Sequence, residues 1–439
     1  MKKQQKVFFI KICFYTFFVT LMFENSLWMI YLTNLGYSLS QIATLQITFS
    51  VALLFSEYLS GILADKFGRK KMLIIANIGI FTYALLMIFA FKIILLFIAF
   101  LIYAFSLALA SGTSEALLYD NLDKENKKKY IKLSSIIHVV SICSMFLADS
   151  LGGQLVWLLN WKWIFIFTCS SHVITLLVLF AIKDKHTKYL EKNEIKIFKE
   201  LKLEFKHKKE LYYFISIFAL LQSSVSIMFI YGQVIFENLS QTPLSISLIY
   251  AFTSAFGGGV LLFLSFIKKL NWYKLTSIFI LVSLVLISFF TTKNIYFFVV
   301  IFVTLNTTLI LFYVHLMNKV NELILSSIRA SFISIMSGVS SMLMIGFQIL
   351  FLIYKDFKIV QSSIFIFLII SFSLATFLYL IYLVKCSKDI DQKIKGLLLL
   401  KEKYGKLNSK KMVKKLSSIE ESLSLLEKTK LLAEEQEEI

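Results

Sequence analysis

Two acids in this chain stand where acids are costly. Glu24 lies in LMFENSLW and Asp149 in FLADSLGG, each inside a long apolar run. Each is sixteen residues past the start of its run, at 8 and 133. A helix rising 1.5 Å per residue carries both about 24 Å in, slightly beyond the middle of a bilayer core of about 30 Å. No Arg or Lys at that depth obviously neutralises them. Ionisable side chains so placed usually face a cavity. Such an acid could carry a proton between the two sides or bind a cationic substrate. The structural alternative is a protonated acid hydrogen-bonded to a neighbouring helix. Asn25, Gln46, Gln222, Asn306 and Gln348 could line a polar cavity, with Trp28, Tyr31, Tyr250 and Phe252 as its apolar wall. His138, His172 and His315 read as packed, hydrogen-bonded groups.

A third stretch differs in kind. Residues 56–71 read SEYLSGILADKFGRKK, an acid, a glycine turn and four basic residues directly after an apolar run. Gly61 allows close helix approach, and Gly68 permits a turn that few residues tolerate. Asp65 could sit at the positive N-terminal end of a neighbouring helix or pair with a base. Positive charge retained on one membrane side accounts for Lys70 and Lys71, but for neither the acid nor the glycines.

The elements that hold these residues follow from composition. Of 439 residues 58% are hydrophobic and 17% charged, with mean hydropathy +0.77. Apolar runs recur from end to end, which describes a polytopic helical membrane protein. The net charge of +19 falls in short clusters between those runs, so nucleic acid is not the expected partner. Spans are expected near 8–33, 39–60, 72–91, 93–118, 133–158, 162–182, 211–236, 245–267, 274–292, 294–317, 328–353 and 359–384. Lys92 divides the third from the fourth, and Lys293 with Asn294 divides the ninth from the tenth. One set of loops holds 27 basic residues and the opposite set five, which puts both termini in the cytoplasm. The 8–33 run lacks a small-residue cleavage site and is read as the first span, not a signal peptide.

The layout is all-α: twelve transmembrane helices as two pseudo-symmetric six-helix bundles, 1–182 and 211–384. A basic cytoplasmic loop, 183–210, joins them, as expected of a parallel-repeat secondary transporter. Residues 385–439 form a cytoplasmic helical tail with an acidic close. In it Met412, Leu416, Ile419, Leu423 and Leu426 step as a short amphipathic helix, too brief for a confident coiled coil. The four cysteines form no disulfide or metal pattern, and Cys386, at a membrane edge, reads as an unmodified thiol. No GxxxxGK[ST] loop occurs, so the chain is not expected to hydrolyse ATP. It reads as no enzyme, with no cofactor and no metal site.

With that topology the 56–71 stretch falls between spans two and three. There Gly61, Asp65, Lys66, Gly68, Arg69 and Lys70 resemble the loop motif of the major facilitator superfamily, particularly its bacterial drug-efflux members. The resemblance implies that Asp65 meets the start of span eleven near Arg329, latching two halves on the cytoplasmic side. The stretch SGTSEALLYDNL (111–122), with Glu57, resembles further facilitator elements. It implies an extended latch of Glu57, Glu115 and Asp120, with Arg69 paired to Asp120. The alternative for Glu115 and Asp120 is a pair of solvated helix caps. Departures are visible. The span-five pattern keeps Gly152 and Gly153 but has Ala148 and Asp149 where the family often has Gly-Pro, and no Arg occupies span four around Tyr103.

The expectation is a monomeric, multi-pass bacterial cell-membrane transporter working by alternating access. It would export a small amphipathic compound, driven by a proton gradient. A nutrient or sugar uptake facilitator of the same fold is the alternative. A non-transporting sensor acting through its tail is a third reading.

Overall fold

The computed structural model describes residues 3–111, 113–122, 130–182, 203–206, 208–265, 267, 272–288, 294–324, 329–353 and 357–405. The described secondary structure is helical. In chain order the helices are α1 (Lys3–Val19), α2 (Trp28–Asn34), α3 (Leu39–Phe67), α4 (Arg69–Ile88), α5 (Ile93–Ala110), α6 (Thr113–Asn121) and α7 (Tyr130–Leu158). They continue with α8 (Lys162–Ala181), α9 (Glu210–Asn238), α10 (Pro243–Ser265), α11 (Trp272–Ile287), α12 (Ile295–Leu323), α13 (Arg329–Ile353) and α14 (Phe357–Gly405).

Among the described residues, nine helices are long and apolar enough to cross a membrane: α3, α4, α5, α7, α8, α9, α10, α12 and α14. Shorter apolar stretches lie in α11 and at 335–350 of α13. Large apolar side chains point outward around the bundle, Phe55 (70% exposed), Phe263 (68%) and Leu177 (65%) among them. Surface of that kind is stable against lipid and not against water.

Helix ends follow local chemistry. Lys92 precedes α5 and Asn294 precedes α12, where its side chain accepts from the Tyr296 amide (2.9 Å). That is ordinary N-capping by a short polar side chain. Pro243, the chain's single proline, opens α10, where no intrahelical N–H is needed. Gly68 separates α3 from α4 at φ 92°, a conformation open mainly to glycine.

Two expectations need correction. Residues 8–33 do not form one helix: α1 ends at Val19, and 20–27 turn irregularly before α2. The polar ENS triplet there gives backbone groups alternatives to the helical ladder, and neighbouring helices supply partners. The 93–118 run likewise breaks at Ser111, in the small polar SGTS stretch, so α6 is separate. The apolar span of α14 ends at Lys385. The 49-residue α14 continues to Gly405, about 74 Å at 1.5 Å per residue, far longer than a bilayer core. The 412–426 pattern lies outside the described residues.

The helices before residue 183 and those after 208 pack mostly among themselves. The main contacts between the two segments run through α2 with α9, α3 with α13 and α7 with α10.

A broken helix and its cavity

The irregular 20–27 segment exposes backbone groups at the depth where lipid offers no hydrogen bonds, so each needs a protein partner. Its neighbours supply them. Ser144 of α7 donates to the Phe17 carbonyl (2.5 Å), and Ser171 of α8 donates to that of Leu21 (3.0 Å). Thr168 of α8 accepts from the Phe23 amide (3.0 Å) and donates to Glu24 Oε2 (2.5 Å). From α9, in the other segment, Gln233 accepts from the Met29 amide (2.9 Å) and donates to the Asn25 carbonyl (3.1 Å). Met29 N–H belongs to the first turn of α2, which has no side-chain cap of its own. Gln233 therefore caps it from across the interface.

Glu24 is 1% exposed. It lines a cavity of about 200 Å3 with Asn25, Trp28, Gln46, Tyr83 and Tyr103. Tyr83 and Tyr103 stack at 4.3 Å, with Phe49 tilted against Tyr103 at 5.3 Å and Trp28 edge-on to Phe100 at 5.5 Å. Both tyrosines are within electrostatic reach of Glu24. An aromatic wall with one acid suits a flat or cationic organic group. Drug-sized ligands fill about 300–1,000 Å3, so this conformation would have to widen around one.

Asp149 does not line that cavity. It is 0% exposed on α7, behind the broken segment, with Ser26 and Asn25 against it. Gly152 and Gly153 follow on the same helix. A Cβ at Gly152 would collide with the Phe23 carbonyl oxygen. One at Gly153 would stand 2.6 Å from Leu244 Cα and 2.7 Å from the Pro243 carbonyl oxygen. The surviving glycine pair thus lets α7 touch the broken segment and α10 together. Among the described residues neither acid has a basic partner; the described ion pair is Lys208–Glu204 (2.6 Å).

Other predicted residues separate clearly. Asn25, Gln46 and Trp28 line the cavity. Tyr31 and Tyr250 are core, and Phe252 (54% exposed) faces outward. Gln222 bonds Ser226 (2.9 Å), while Gln348 is buried elsewhere on α13 with its amide unpartnered. His172 is packed as expected, its Nδ1 2.6 Å from Asn77 Oδ1. His315 packs edge-on to the Tyr273 ring at 4.6 Å. Sequence reasoning missed Thr168, Ser171, Ser144 and Gln233. A signal for the first two existed: Thr168, Ser171, His172 and Thr175 form a buried polar stripe at helical spacing along apolar α8.

At the basic end, Lys70 donates to the carbonyls of Ile182 (2.5 Å) and Phe180 (3.2 Å), and Lys11 to that of Ala181 (2.6 Å). The two lysines cap the C-terminus of α8, a packing role beyond topology for Lys70. Gly61, Asp65 and Lys66 fall on the last turns of α3, and Arg69 opens α4. Glu57 is half-buried on α3. Glu115 and Asp120 lie on α6 and Arg329 opens α13. The side chains of Asp65, Lys66, Glu115, Asp120 and Arg329 lie outside the described residues, so the latch contacts belong with the proposal below.

Comparison with known proteins agrees with this architecture. The family model described as "Major Facilitator Superfamily" matches residues 8–349. The quinolone resistance protein NorB of Staphylococcus aureus (strain JH9) is 34% identical over 153 residues, 33% of this chain and 30% of that protein. The chain thus matches less than a third of that curated relative's length. Among solved structures, the nucleoside transporter NupG superposes with TM-score 0.67 at 15% identity, covering 87% of this chain and 99% of that one. The POT family transporter PepTSo gives TM-score 0.70 at 10% identity, covering 87% and 98%.

Proposed function

The chain belongs to the Major Facilitator Superfamily, and from that premise we propose that this transporter exports a small amphipathic compound in exchange for protons, by alternating access. The observation that carries the reading is the buried cavity in which Glu24, on a broken helix, faces an aromatic wall. Discontinuous helices at mid-membrane depth are where transporters of this general design hold substrates and ions. Glu24 is the proton carrier, and Asn25 and the aromatic side chains meet the substrate. The partial likeness to a drug-resistance protein supports export.

Twelve spans in two six-helix halves, with both termini cytoplasmic, complete the proposal. The pairing between segments supports it. Exchanging second with eighth and fifth with eleventh spans turns the α3–α13 contact into the α10–α7 contact, as twofold pseudosymmetry requires. The cytoplasmic latch consists of Glu57, Gly61, Asp65, Lys66, Gly68, Arg69, Glu115, Asp120 and Arg329. Its support is the packing of α3 on α13, where a Cβ at Gly338 would stand 3.3 Å from Leu54. Counting on from that contact carries Asp65 and Arg329 toward the same end.

The test is accumulation of a fluorescent lipophilic cation, and of a quinolone, in cells expressing the chain, with and without a protonophore. Lower accumulation that the protonophore restores is expected. Equal accumulation in expressing and control cells for both probes, or higher accumulation in expressing cells, would overturn export.

A further inference from the structure

Away from the Glu24 cavity, the basic end of the bundle holds a second hollow. A pocket of about 380 Å3 is lined by Phe205, Lys206, Lys209, Tyr212, Tyr213 and Lys385. Three elements meet there: the short helical stretch 203–206, the start of α9, and the point where α14 leaves its apolar span. Phe205 fixes the first of these, its ring 5.2 Å from that of Tyr212 and 5.9 Å from that of Phe332 on α13. Lys385 lies over the Tyr213 ring, its Nζ 5.7 Å from the centroid, within cation–π reach. No carboxylate is among the described lining residues. Glu204 is taken by Lys208 (2.6 Å), and Glu210, which opens α9, is not at the wall.

Three ammonium groups around one hollow repel one another, and an anion placed between them removes that cost. Depth decides which anion. The apolar span of α9 begins at Glu210 and that of α14 ends at Lys385, so the lysines stand where hydrocarbon gives way to headgroups. Long basic side chains and tyrosines are the residues suited to that level. On α14, Leu374, Phe377, Leu380 and Val384 are each 43–59% exposed and step along one face to within a residue of Lys385. That stripe offers an acyl chain a path that ends beside the pocket. A phosphate tethered to such chains fills hollow and stripe together, whereas a free anion leaves the stripe uncovered. Basic pockets between membrane helices hold anionic headgroups in this way.

We infer that Lys206, Lys209 and Lys385, walled by Tyr212 and Tyr213, bind the phosphate headgroup of an anionic phospholipid. The bound lipid ties the 203–206 stretch to α9 and α14, and through Phe205 and Phe332 to α13. It therefore stabilises the helices after residue 208 at their basic end. This binding goes beyond the proposed transport and does not rest on it.

The experiment is thermal unfolding of the purified full-length chain in a neutral detergent at constant ionic strength. Short-chain phosphatidylglycerol, short-chain phosphatidylcholine and inorganic phosphate are titrated in separately. Mass action predicts a saturable rise of a few degrees with phosphatidylglycerol. Phosphatidylcholine, whose phosphate is balanced by its own cation, and inorganic phosphate at the same concentrations should give none. A lysine at a lipid surface is worth about fivefold in affinity. Lys385→Gln should therefore raise the half-saturating concentration about fivefold, and glutamine at 206, 209 and 385 together should abolish saturation. Glutamine in place of Lys127, Lys128 and Lys129 removes the same charge between α6 and α7 and should leave the response intact. If the pocket triple variant fails to fold, Lys385→Gln decides. Absence of a saturable response, an equal response to phosphatidylcholine, unchanged half-saturation in Lys385→Gln, or equal loss in the 127–129 control overturns the site. An equal response to inorganic phosphate assigns the pocket to a soluble anion and also overturns the lipid.

Discussion

Gln233 accepts from the Met29 amide at 2.9 Å and so caps a helix 204 residues away in sequence. With its other end it holds the Asn25 carbonyl (3.1 Å), one residue from Glu24. One side chain thus joins the partner segment to the backbone that positions the membrane acid.

Replacing it should loosen that junction. Gln233→Leu keeps the size but leaves the Met29 N–H and Asn25 carbonyl without this partner, at a cost of about 1–2 kcal/mol. A conformational equilibrium resting on these bonds should shift about 5–30-fold toward separation of α2 from α9. A cysteine placed at Met29, 0% exposed and itself bonded to Gln233 through its amide, should react faster with maleimide in the Leu variant. Equal rates would remove Gln233 from gating.

Gly153 offers a steric test. In Gly153→Ala the new Cβ meets backbone of α10, which cannot rotate away as a side chain would. Overpacking of this kind costs about 1–3 kcal/mol, so unfolding temperature should fall and α7–α10 crosslinking should slow. Gly346→Ala is the control, because nothing lies within 4 Å of its Cβ position. There the helix gains about 1 kcal/mol in propensity, and a loss as large as that at Gly153 would contradict the packing account.

Glu24→Gln and Asp65→Asn separate carrier from latch. Glu24→Gln should abolish efflux against a gradient while downhill exchange continues, since the amide cannot cycle a proton. Asp65→Asn should slow turnover under every gradient. Proteoliposome flux with and without an imposed pH difference reads both, and identical phenotypes would merge the two roles.

Deleting residues 406–439 should leave flux within about twofold of the intact chain. Transport is assigned to the helices up to α14, none of which this deletion removes. Loss of all flux with normal membrane insertion would favour a tail-driven function over transport.

Much of this protein could be read from residue order. Lipid permits few ways to satisfy a backbone, so long apolar runs announced helices, and Lys92 and Asn294 marked turns that the coordinates keep. Glu24 and Asp149 stood out because charge among apolar residues always demands an explanation. Hidden from that reading was the break at 20–27. The 8–33 run as a whole reads as one helix, and the chain leaves that helix around the polar ENS triplet because Thr168, Ser171 and Gln233 arrive from elsewhere to bond the freed groups. The different surroundings of the two acids were equally invisible, since burial and neighbours depend on how helices rotate against each other. Local periodicity carries no information about that phase; close packing sets it, through contacts such as Gly153 on Pro243.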